Sequence, residues 1–360
     1  MAMAPPIAAN GGRSPLTWLR ARLFNSPANA IVTIVIVWVA AMTLPLLLDW
    51  LVLDAVFHAA DQRACRAAGS GACWALIADK HRLILFGLYP FDEQWRPLLA
   101  AVVVVGLVVA SCIRRFWRPW LAPLWLAGLA LIAWLMWGGA FGLTYVPTER
   151  WGGLPLTLIL ALFGMAFGFP LAILLALGRR SNLPVLRALC IAYIELIRGV
   201  PFVSLLFMAS VMLPLLLPEG LTIDKLLRAQ IAIIMYASAY LAEVVRGGLQ
   251  SVPRGQYEAA QALGLGYWRT MGSVILPQAL RVVIPPLMNT LITVFKDTSL
   301  VVIIGLYDLM NAAKAAFVDP AWRGTAIEAY IFAGAIYFGF CFVMSRYSQA
   351  LERRLADGRT

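Results

Sequence analysis

The sequence predicts an all-α fold, a polytopic bundle of membrane-spanning helices. Hydrophobic residues make up 62% of the 360 residues and charged residues only 13%, whereas soluble domains have roughly 45–50% and about 25%. The mean hydropathy is +0.81, and apolar runs of the length that crosses a bilayer, about 20 residues, recur along the chain. A soluble enzyme, a nucleic-acid-binding domain and a disordered chain are excluded as descriptions of the whole chain.

Eight apolar runs are long enough, or nearly so, to form spanning helices. They are Ile31–Leu53, Leu98–Ile113, Trp120–Val146, Leu154–Leu177, Leu186–Leu217, Ala229–Val245, Ala279–Ile304 and Ala326–Met344. The second run is short, so we expect Trp95 and Arg96 to extend it, with the arginine reaching the interface. Pro201 is expected to break the fifth run. The stretch Leu83–Phe91 is too short to cross, and we expect it to lie on the membrane surface.

The distribution of basic residues predicts the orientation. With the N-terminus inside, the inner loops hold 16 basic residues against three acidic ones, Glu258, Glu352 and Asp357. The basic ones are Arg13, Arg20, Arg22, Arg114, Arg115, Arg118, Arg179, Arg180, Arg187, Arg246, Arg254, Arg269, Arg346, Arg353, Arg354 and Arg359. The outer loops are balanced, with 10 of each sign. Cytoplasmic loops of membrane proteins carry such an excess, so both termini are expected in the cytoplasm. A net charge of +11 placed this way indicates a lipid bilayer and not a nucleic acid as the partner.

The five cysteines fall into two groups. Cys112, Cys190 and Cys341 lie in spans, where cysteine acts as a small packing residue. Cys65 and Cys73 lie in the long outer loop, residues 54–94, within the stretch CRAAGSGAC. An oxidising compartment and a supple loop favour a disulfide between them. The alternative, a metal site, lacks nearby ligands, because His58 and His81 are distant in sequence.

Several catalytic motifs are absent from the sequence. It contains no G-x-x-x-x-G-K-[ST] phosphate loop, no H-E-x-x-H and no G-x-S-x-G. The missing phosphate loop predicts that the chain does not hydrolyse ATP by itself. The other absences do not exclude an enzyme, but nothing in the residues proposes one. We predict that the chain is not an enzyme, has no catalytic residues and binds neither a metal nor a cofactor of its own. No internal repeat of the kind found in many secondary transporters stands out.

The most informative segment is the inner loop after the sixth span, residues 246–278. Good helix formers with apolar residues at helical spacing predict a short helix over 256–263, and Gly264 suits a left-handed C-terminal cap. A second amphipathic piece follows, which we expect Pro277 to stop. Two short helices joined at a glycine present a knob, which fits either a protein partner or a pair of helices lying on the membrane surface.

This loop resembles the EAA loop of ABC importer permeases. Glu258, Ala259 and Ala260 are followed at the family's spacing by Gly264 and then by Leu276 and Pro277. Three other stretches resemble the polar or general L-amino-acid branch of that family, namely Glu195–Pro201, Ser238–Gly248 and Lys296–Leu300. The resemblance covers residues 151–355. It implies a type I permease core of five helices, preceded by a leader over residues 1–28 and a three-helix extension over residues 29–150.

The resemblance also implies partners and a mechanism. A second permease would complete the pathway, and the loop of each permease would dock on a cytoplasmic ATPase that uses ATP and Mg²⁺. A periplasmic binding protein would deliver an L-amino acid, and the whole complex would lie in a bacterial inner membrane. Within the loop, Glu258 is expected to stabilise the N-terminus of its helix.

Charged residues within the spans are costly and indicate either function or pairing. Glu195 and Arg198 are three residues apart on one helix face beside the break at Pro201. They are candidates for the substrate pathway, although an ion pair between them would explain them as well. The run Lys296, Asp297, Thr298 and Ser299 offers a cation, an anion and hydroxyls to a zwitterionic substrate, although packing between chains would explain it as well.

An ion-coupled secondary transporter is the alternative function. The charges in the spans favour it, and the missing repeat and the EAA loop disfavour it. A membrane scaffold without transport would leave the polar breaks in the spans unexplained.

Overall fold

A computed structural model describes residue 19 and residues 22–116, 119–218, 220 and 222–356. Most of the predicted leader lies outside these residues, as do Arg13, Arg20, Arg118, Asp357 and Arg359 from the charge comparison. Within the described part, six helices are long and apolar enough to cross a membrane, and a bent helix pair makes up to seven. The all-α bundle of spanning helices is therefore confirmed.

The chain forms two compact units, one ending at Ala75 and one beginning at Leu76. The predicted boundary at residue 150 falls inside the second unit, so residues 76–150 pack together with the core. The first unit contains α1 (Pro27–Leu48) and α2 (Gln62–Ala68). A π-helical turn, Asp49–Leu53, lengthens α1 to a 27-residue span.

Local sequence explains both helices of the first unit. Ser26 caps α1, because its hydroxyl accepts a hydrogen bond from the Asn29 backbone N–H at 3.2 Å. Asp61 caps α2 in the same way, accepting from the Ala64 N–H at 2.8 Å. The structure joins Cys65 to Cys73 in a disulfide with a Cα–Cα distance of 5.9 Å, and both cysteines are buried. The disulfide thereby joins α2 to the segment that follows it within the first unit.

The second unit holds the remaining helices. They are α3 (Ala75–Phe86, which starts at the last residue of the first unit), α4 (Trp95–Cys112), α5 (Leu121–Trp137), α6 (Gly153–Arg179), α7 (Pro184–Gly199), α8 (Phe202–Phe207), α9 (Leu213–Leu216), α10 (Lys225–Ser251), α11 (Arg254–Ala262), α12 (Tyr267–Arg269), α13 (Leu276–Asp297), α14 (Leu309–Val318) and α15 (Ala326–Ala356). Two π-helical segments, Met208–Met212 and Thr270–Ile275, link α8 to α9 and α12 to α13. A 3₁₀ segment, Thr298–Ile304, continues α13.

The predicted third span is shorter than expected. Its helix, α5, ends at Trp137 after 17 residues, about 26 Å at the rise of an α-helix. Gly138 and Gly139, with φ of +69° and +78°, stop it, because this left-handed backbone cannot continue an α-helix. Residues 138–147 form an irregular connection to the 3₁₀ turn Thr148–Arg150.

Arg96 does not reach the interface as expected, because its side chain is fully buried. Its Nε donates to the Leu135 carbonyl at 2.7 Å and its Nη1 to the Thr144 carbonyl at 3.0 Å. The same guanidinium forms an ion pair with Glu93. The last carbonyls of a helix lack partners within it, and here Arg96 satisfies the end of α5.

The stretch Leu83–Phe91, which we expected on the membrane surface, packs on the protein through its buried residues Ile84 and Tyr89. The Tyr89 hydroxyl donates to the Leu135 and Met136 carbonyls, both at 3.1 Å. Gly87 approaches Gly152 so closely that a Cβ on Gly87 would lie 2.6 Å from the Gly152 Cα. The stretch is held because its tyrosine and glycine fit the outer ends of α5 and α6.

The same region of the extension is fastened to the loop between α14 and α15. Lys80 of α3 forms an ion pair with Asp319 at 2.9 Å, and its hydrogen bond lowers the pKa of the Asp319 carboxyl. The buried Trp322 ring donates its Nε1–H to Asp79 at 2.8 Å. One helix of the predicted extension therefore sets the position of an outer loop of the core.

The predicted break of the fifth span is confirmed. The axis turns by 104° between α7 and α8, at Val200 and Pro201, because proline has no backbone N–H to continue the helix. The Ser204 N–H bonds to the Pro201 carbonyl at 2.9 Å and so starts the next helix.

Close contact of α6 with α10 organises the core. A Cβ on Gly164 would lie 2.4 Å from the Ile233 side chain, and one on Gly168 would lie 3.0 Å from the Ala237 Cβ. Small residues allow membrane helices to approach this closely, and dispersion contacts then hold them together. The bent span packs on the same helix pair through buried apolar residues such as Ile194 and Leu206.

An outer junction joins the start of α6 to the residues before α14. Gly152 and Gly153 pair in parallel with Tyr307 and Asp308. The buried Asp308 carboxylate caps α14, accepting from the Met310 N–H at 3.0 Å and the Asn311 N–H at 3.1 Å. Burial raises the pKa of Asp308 to about 7, against smaller lowering effects of these hydrogen bonds.

Replacing Arg96 tests its role at the end of α5. Arg96→Met removes the cation that pairs with Glu93 and the donor to the Leu135 and Thr144 carbonyls, and we expect a loss of roughly 3 kcal/mol in the free energy of unfolding. Thermal unfolding of the purified protein measures this loss. Arg323→Met, at an exposed arginine, is the control and should leave Tm unchanged. Equal Tm values for the two variants would contradict the assignment.

The outer junction should make stability depend on pH. Tyr337 of α15 is the titratable group that faces Asp308, and α6 presents the uncharged Thr157. Because folding raises this pKa, the contribution of Asp308 is fully present below about pH 4 and is lost as the pH rises through 7. We expect Tm to fall between pH 5.5 and 8, and Asp308→Asn, which keeps a capping oxygen, to remove much of that fall. An unchanged pH dependence in this variant would refute the prediction.

Candidate functional site

The inner loop forms a short helix, α11, that ends in a glycine cap. Gly264 has φ of +72°, its N–H bonds to the Gln261 carbonyl at 2.9 Å, and the Leu265 N–H bonds to the Ala260 carbonyl at 3.1 Å. This pair of hydrogen bonds is the Schellman arrangement, which favours glycine at the left-handed position. The chain therefore turns sharply after α11.

The loop is attached firmly to the base of the bundle. The Tyr257 hydroxyl donates to the Leu249 carbonyl at 3.2 Å. Arg180, the residue that follows α6, donates to the same carbonyl and to the Tyr257 hydroxyl oxygen, both at 3.1 Å. Beneath it, Leu249 and Ile275 belong to a buried apolar cluster that also includes side chains of α6. A movement of α11 is therefore transmitted to the ends of α6 and α10.

The structure divides the predicted coupling residues between two sides of the loop. Glu258 and Ala259 are exposed, whereas Ala260 is buried against the bundle. Glu258 lies in the second turn, because α11 begins at Arg254, so it does not stabilise the helix N-terminus as expected. The apolar side chains of Leu263, Tyr267 and Trp268 are also exposed, and we call these three residues the apolar knob. An exposed apolar surface of this kind is typical of an interaction site.

Pro277 starts a helix where the sequence predicted an end. Leu276 is half-buried against the apolar cluster, and Pro277 lies in the first turn of α13, which runs on to Asp297. Proline is tolerated there because first-turn N–H groups need no partner within the helix. The preceding π-helical segment, Thr270–Ile275, joins α12 to α13, so that one continuous 38-residue helical stretch, Tyr267–Ile304, links the loop to the span.

A cluster of charges lies where α6, α7 and α10 meet. We call it the Glu243 cluster: Arg179, Glu195, Arg198, Glu243 and Arg246. Arg179 lies 3.1 Å from Glu195 and 2.6 Å from Glu243, while Arg246 lies 2.7 Å and Arg198 3.9 Å from Glu243. The expected pair between Glu195 and Arg198 is therefore wrong, because each has its partner on another helix. The cluster cross-links three helices near their predicted cytoplasmic ends.

Aromatic rings continue from this cluster into the bundle along one face of α10. The Arg198 guanidinium lies 5.5 Å from the centre of the Tyr240 ring. The ring centres of Tyr240 and Tyr236 are 4.6 Å apart, and those of Tyr236 and Phe202 are 4.5 Å apart. Tyr236 in turn contacts the Asp297 carboxylate through its hydroxyl. We call the series Asp297, Tyr236, Tyr240, Arg198 and Glu243 the polar file.

The structure separates the four polar residues of the seventh span. Lys296 is exposed, Asp297 and Ser299 are half-buried, and Thr298 is 1% exposed. The Thr298 hydroxyl donates to the Phe295 carbonyl at 2.7 Å, which places it inside the bundle, where it cannot reach a substrate in this conformation. Only Asp297 of the four belongs to the polar file.

The sequence alone did not point to Tyr236, Tyr240, Arg179 or Arg246 as site residues. Tyr236 and Tyr240 lie seven and three residues before Glu243, which places all three on one helix face. That spacing was visible in the sequence. Among the described residues, no group of three or more His, Cys, Asp or Glu side chains could hold a metal ion.

Two known proteins are similar in sequence to nearly the whole of this chain. It is 50% identical to the inner membrane amino-acid ABC transporter permease protein YhdY of Escherichia coli K12, over 99% of this chain and 96% of that protein. It is 36% identical to the glutamate/glutamine/aspartate/asparagine transport system permease protein BztC of Rhodobacter capsulatus, over 98% of this chain and 96% of that protein.

A solved structure matches part of the chain. It is the crystal structure of an amino acid ABC transporter with histidines, 33% identical, with a TM-score of 0.51 over 56% of this chain and 92% of that one. Residues 168–357 match the family described as the binding-protein-dependent transport system inner membrane component. The chain therefore belongs to this family of ABC importer permeases.

Proposed function

We propose that this chain is one permease of an ATP-driven importer of L-amino acids, and that the polar file is its substrate path. The observation that carries this proposal is the continuity of the file. It begins at the half-buried Asp297 at the end of α13, follows one face of α10, and ends at the Glu243 cluster. Arg180, which follows Arg179 of that cluster, contacts Tyr257 of the inner loop. These contacts connect the polar file to the inner loop.

The charges of the file suit an amino acid. Asp297 contacts Tyr236 and Arg198 lies over Tyr240, and these two tyrosines are about one helical turn, roughly 6 Å, apart along α10. The two opposite charges therefore lie against neighbouring turns of the same helix. A substrate carboxylate would meet Arg198, and its ammonium would meet Asp297 and the faces of the tyrosines, since aromatic faces attract cations. Glu195, Lys296 and Ser299 border the path, and Thr298 supports it from within the bundle.

The apolar knob on the loop suits a protein partner. Its exposed leucine, tyrosine and tryptophan side chains would be covered by the cleft of a cytoplasmic ATPase, which would bind the ATP and Mg²⁺ that this chain has no motif to bind. A second permease would complete the pathway, and a periplasmic binding protein would deliver the substrate. In this arrangement both termini are cytoplasmic, and no step requires a coupling ion.

Gly264 tests the coupling role. Valine in left-handed backbone is strained by its Cβ, although the space around Gly264 is open. We expect Gly264→Val to insert and assemble normally but to uncouple ATP hydrolysis from uptake, with a loss of at least tenfold in amino acid transported per ATP. Reconstituted vesicles with the complete complex measure both rates.

The chain offers a matched control for this experiment. Gly266 lies two residues further on with φ of −66° and equally open space, so Gly266→Val should couple normally. Gly264→Asn should retain partial coupling, because asparagine tolerates left-handed backbone. Normal coupling in Gly264→Val would contradict the role of the loop geometry.

Asp297 tests the substrate path. Asp297→Asn keeps the shape and an acceptor for Tyr236 but removes the charge, and loss of a charge-assisted contact costs about ten- to hundredfold in apparent affinity. The half-saturating concentration for substrate-stimulated ATP hydrolysis should rise by that factor. The probes are L-glutamate, L-glutamine, L-aspartate and L-asparagine, named for the Rhodobacter relative, each supplied with the binding protein.

Thermal stability distinguishes a substrate-binding role of Asp297 from a packing role. Because no salt bridge joins Lys296 to Asp297 among the described residues, the asparagine variant should keep the wild-type Tm. Tyr236→Phe, which removes the hydroxyl and leaves the charge, should shift the half-saturating concentration less. A lower Tm with unchanged half-saturation would assign Asp297 to packing.

A further inference from the structure

Tyr337 of α15 contacts buried residues at the polar end of α13. Its ring packs against Phe295 with the centroids 5.5 Å apart, and its hydroxyl contacts Thr298. Phe295 and Thr298 are three residues apart and share one face of the helix end, and both are buried. One tyrosine thus contacts the residues on either side of Lys296 and Asp297.

These contacts determine where Asp297 points. With Phe295 and Thr298 turned toward α15, the two residues between them must lie on the other faces of the helix. Lys296 is accordingly exposed, and Asp297 reaches Tyr236 on α10. The direction of the Asp297 carboxylate is therefore a consequence of how α13 is held by α15.

The Tyr337 hydroxyl is itself fixed from the outer junction. It donates to the Asp308 carboxylate at 3.4 Å, and that carboxylate is held by the first N–H groups of α14. The neighbouring Leu309 N–H bonds to Thr157 of α6 at 3.1 Å. Asp308 and Tyr337 thus belong to a buried network that joins α6, α14, α15 and the end of α13.

We propose that Tyr337 is a positioning residue for substrate affinity: it never touches the amino acid but, anchored on Asp308, it holds Phe295 and Thr298 so that Asp297 faces the path. This inference rests on the proposed function, in which Asp297 meets the substrate. It assigns a transport role to residues that lie outside the polar file.

The test is Tyr337→Phe, which keeps the ring on Phe295 and removes only the hydroxyl. We expect the half-saturating concentration for substrate-stimulated ATP hydrolysis to rise about three- to tenfold, as for loss of one hydrogen bond, with the maximal rate unchanged. Thr298→Val removes the other end of the contact and should give a similar shift. The probe is whichever of the four amino acids above is taken up fastest by the wild-type complex.

The control is Tyr330→Phe, the same substitution at an exposed tyrosine of the same helix, 41% exposed, which should change nothing. A structural role alone would lower Tm and the yield of assembled complex while leaving half-saturation at the wild-type value. That result in both Tyr337→Phe and Thr298→Val would overturn the inference.

The double variant with Asp297→Asn separates this inference from the proposed function. If Tyr337 acts through Asp297, Tyr337→Phe should add little in the asparagine background. Full additivity would overturn the positioning role. An affinity shift in Asp297→Asn together with none in Tyr337→Phe would also refute the inference, and would leave the proposed function standing.

Discussion

The Glu243 carboxylate is the interaction on which the inner half of the bundle depends. A charge at this depth is costly unless other groups of the protein satisfy it, and here Arg179, Arg198 and Arg246 surround it from three helices. The bent span can leave its axis at Pro201 because the helix before the bend is fixed to α6 and α10 by these ion pairs. The polar file ends at this cluster, through Arg198 and Tyr240. Arg180, the neighbour of Arg179 in the chain, holds the inner loop.

Ion pairs hold the helices together at the Glu243 cluster, whereas at the outer junction close backbone contact holds the segments together. Gly152 and Gly153 allow the start of α6 to touch both the extension and the residues before α14. A side chain at either position would separate these segments. Because Lys80 and Asp79 also hold the loop after α14, part of the extension serves as a fixed support for the core, and its outer segment is folded on protein for that reason.

Sequence reasoning succeeded where one local rule dominates. Apolar runs predicted the spans, proline predicted the bend, and Gly264 was recognised as a left-handed cap because few other residues accept that backbone. It was wrong where partners lie on distant elements. Arg96 was expected at the interface and is buried on the end of α5, while Glu195 and Arg198, neighbours on one helix face, pair with arginine and glutamate residues of other helices.

The sequence by itself determined the membrane fold, the family and the glycine-capped helix of the inner loop, since composition, span length and motif spacing are properties of the chain as written. Only the tertiary structure decided which polar groups act together. It divided the run 296–299, turning Thr298 into the bundle and Asp297 toward Tyr236, and it brought Tyr337 from the last helix behind them. The physical reason is that the direction of a side chain depends on how its helix is rotated against its neighbours, and that rotation is set by packing between residues far apart in the sequence.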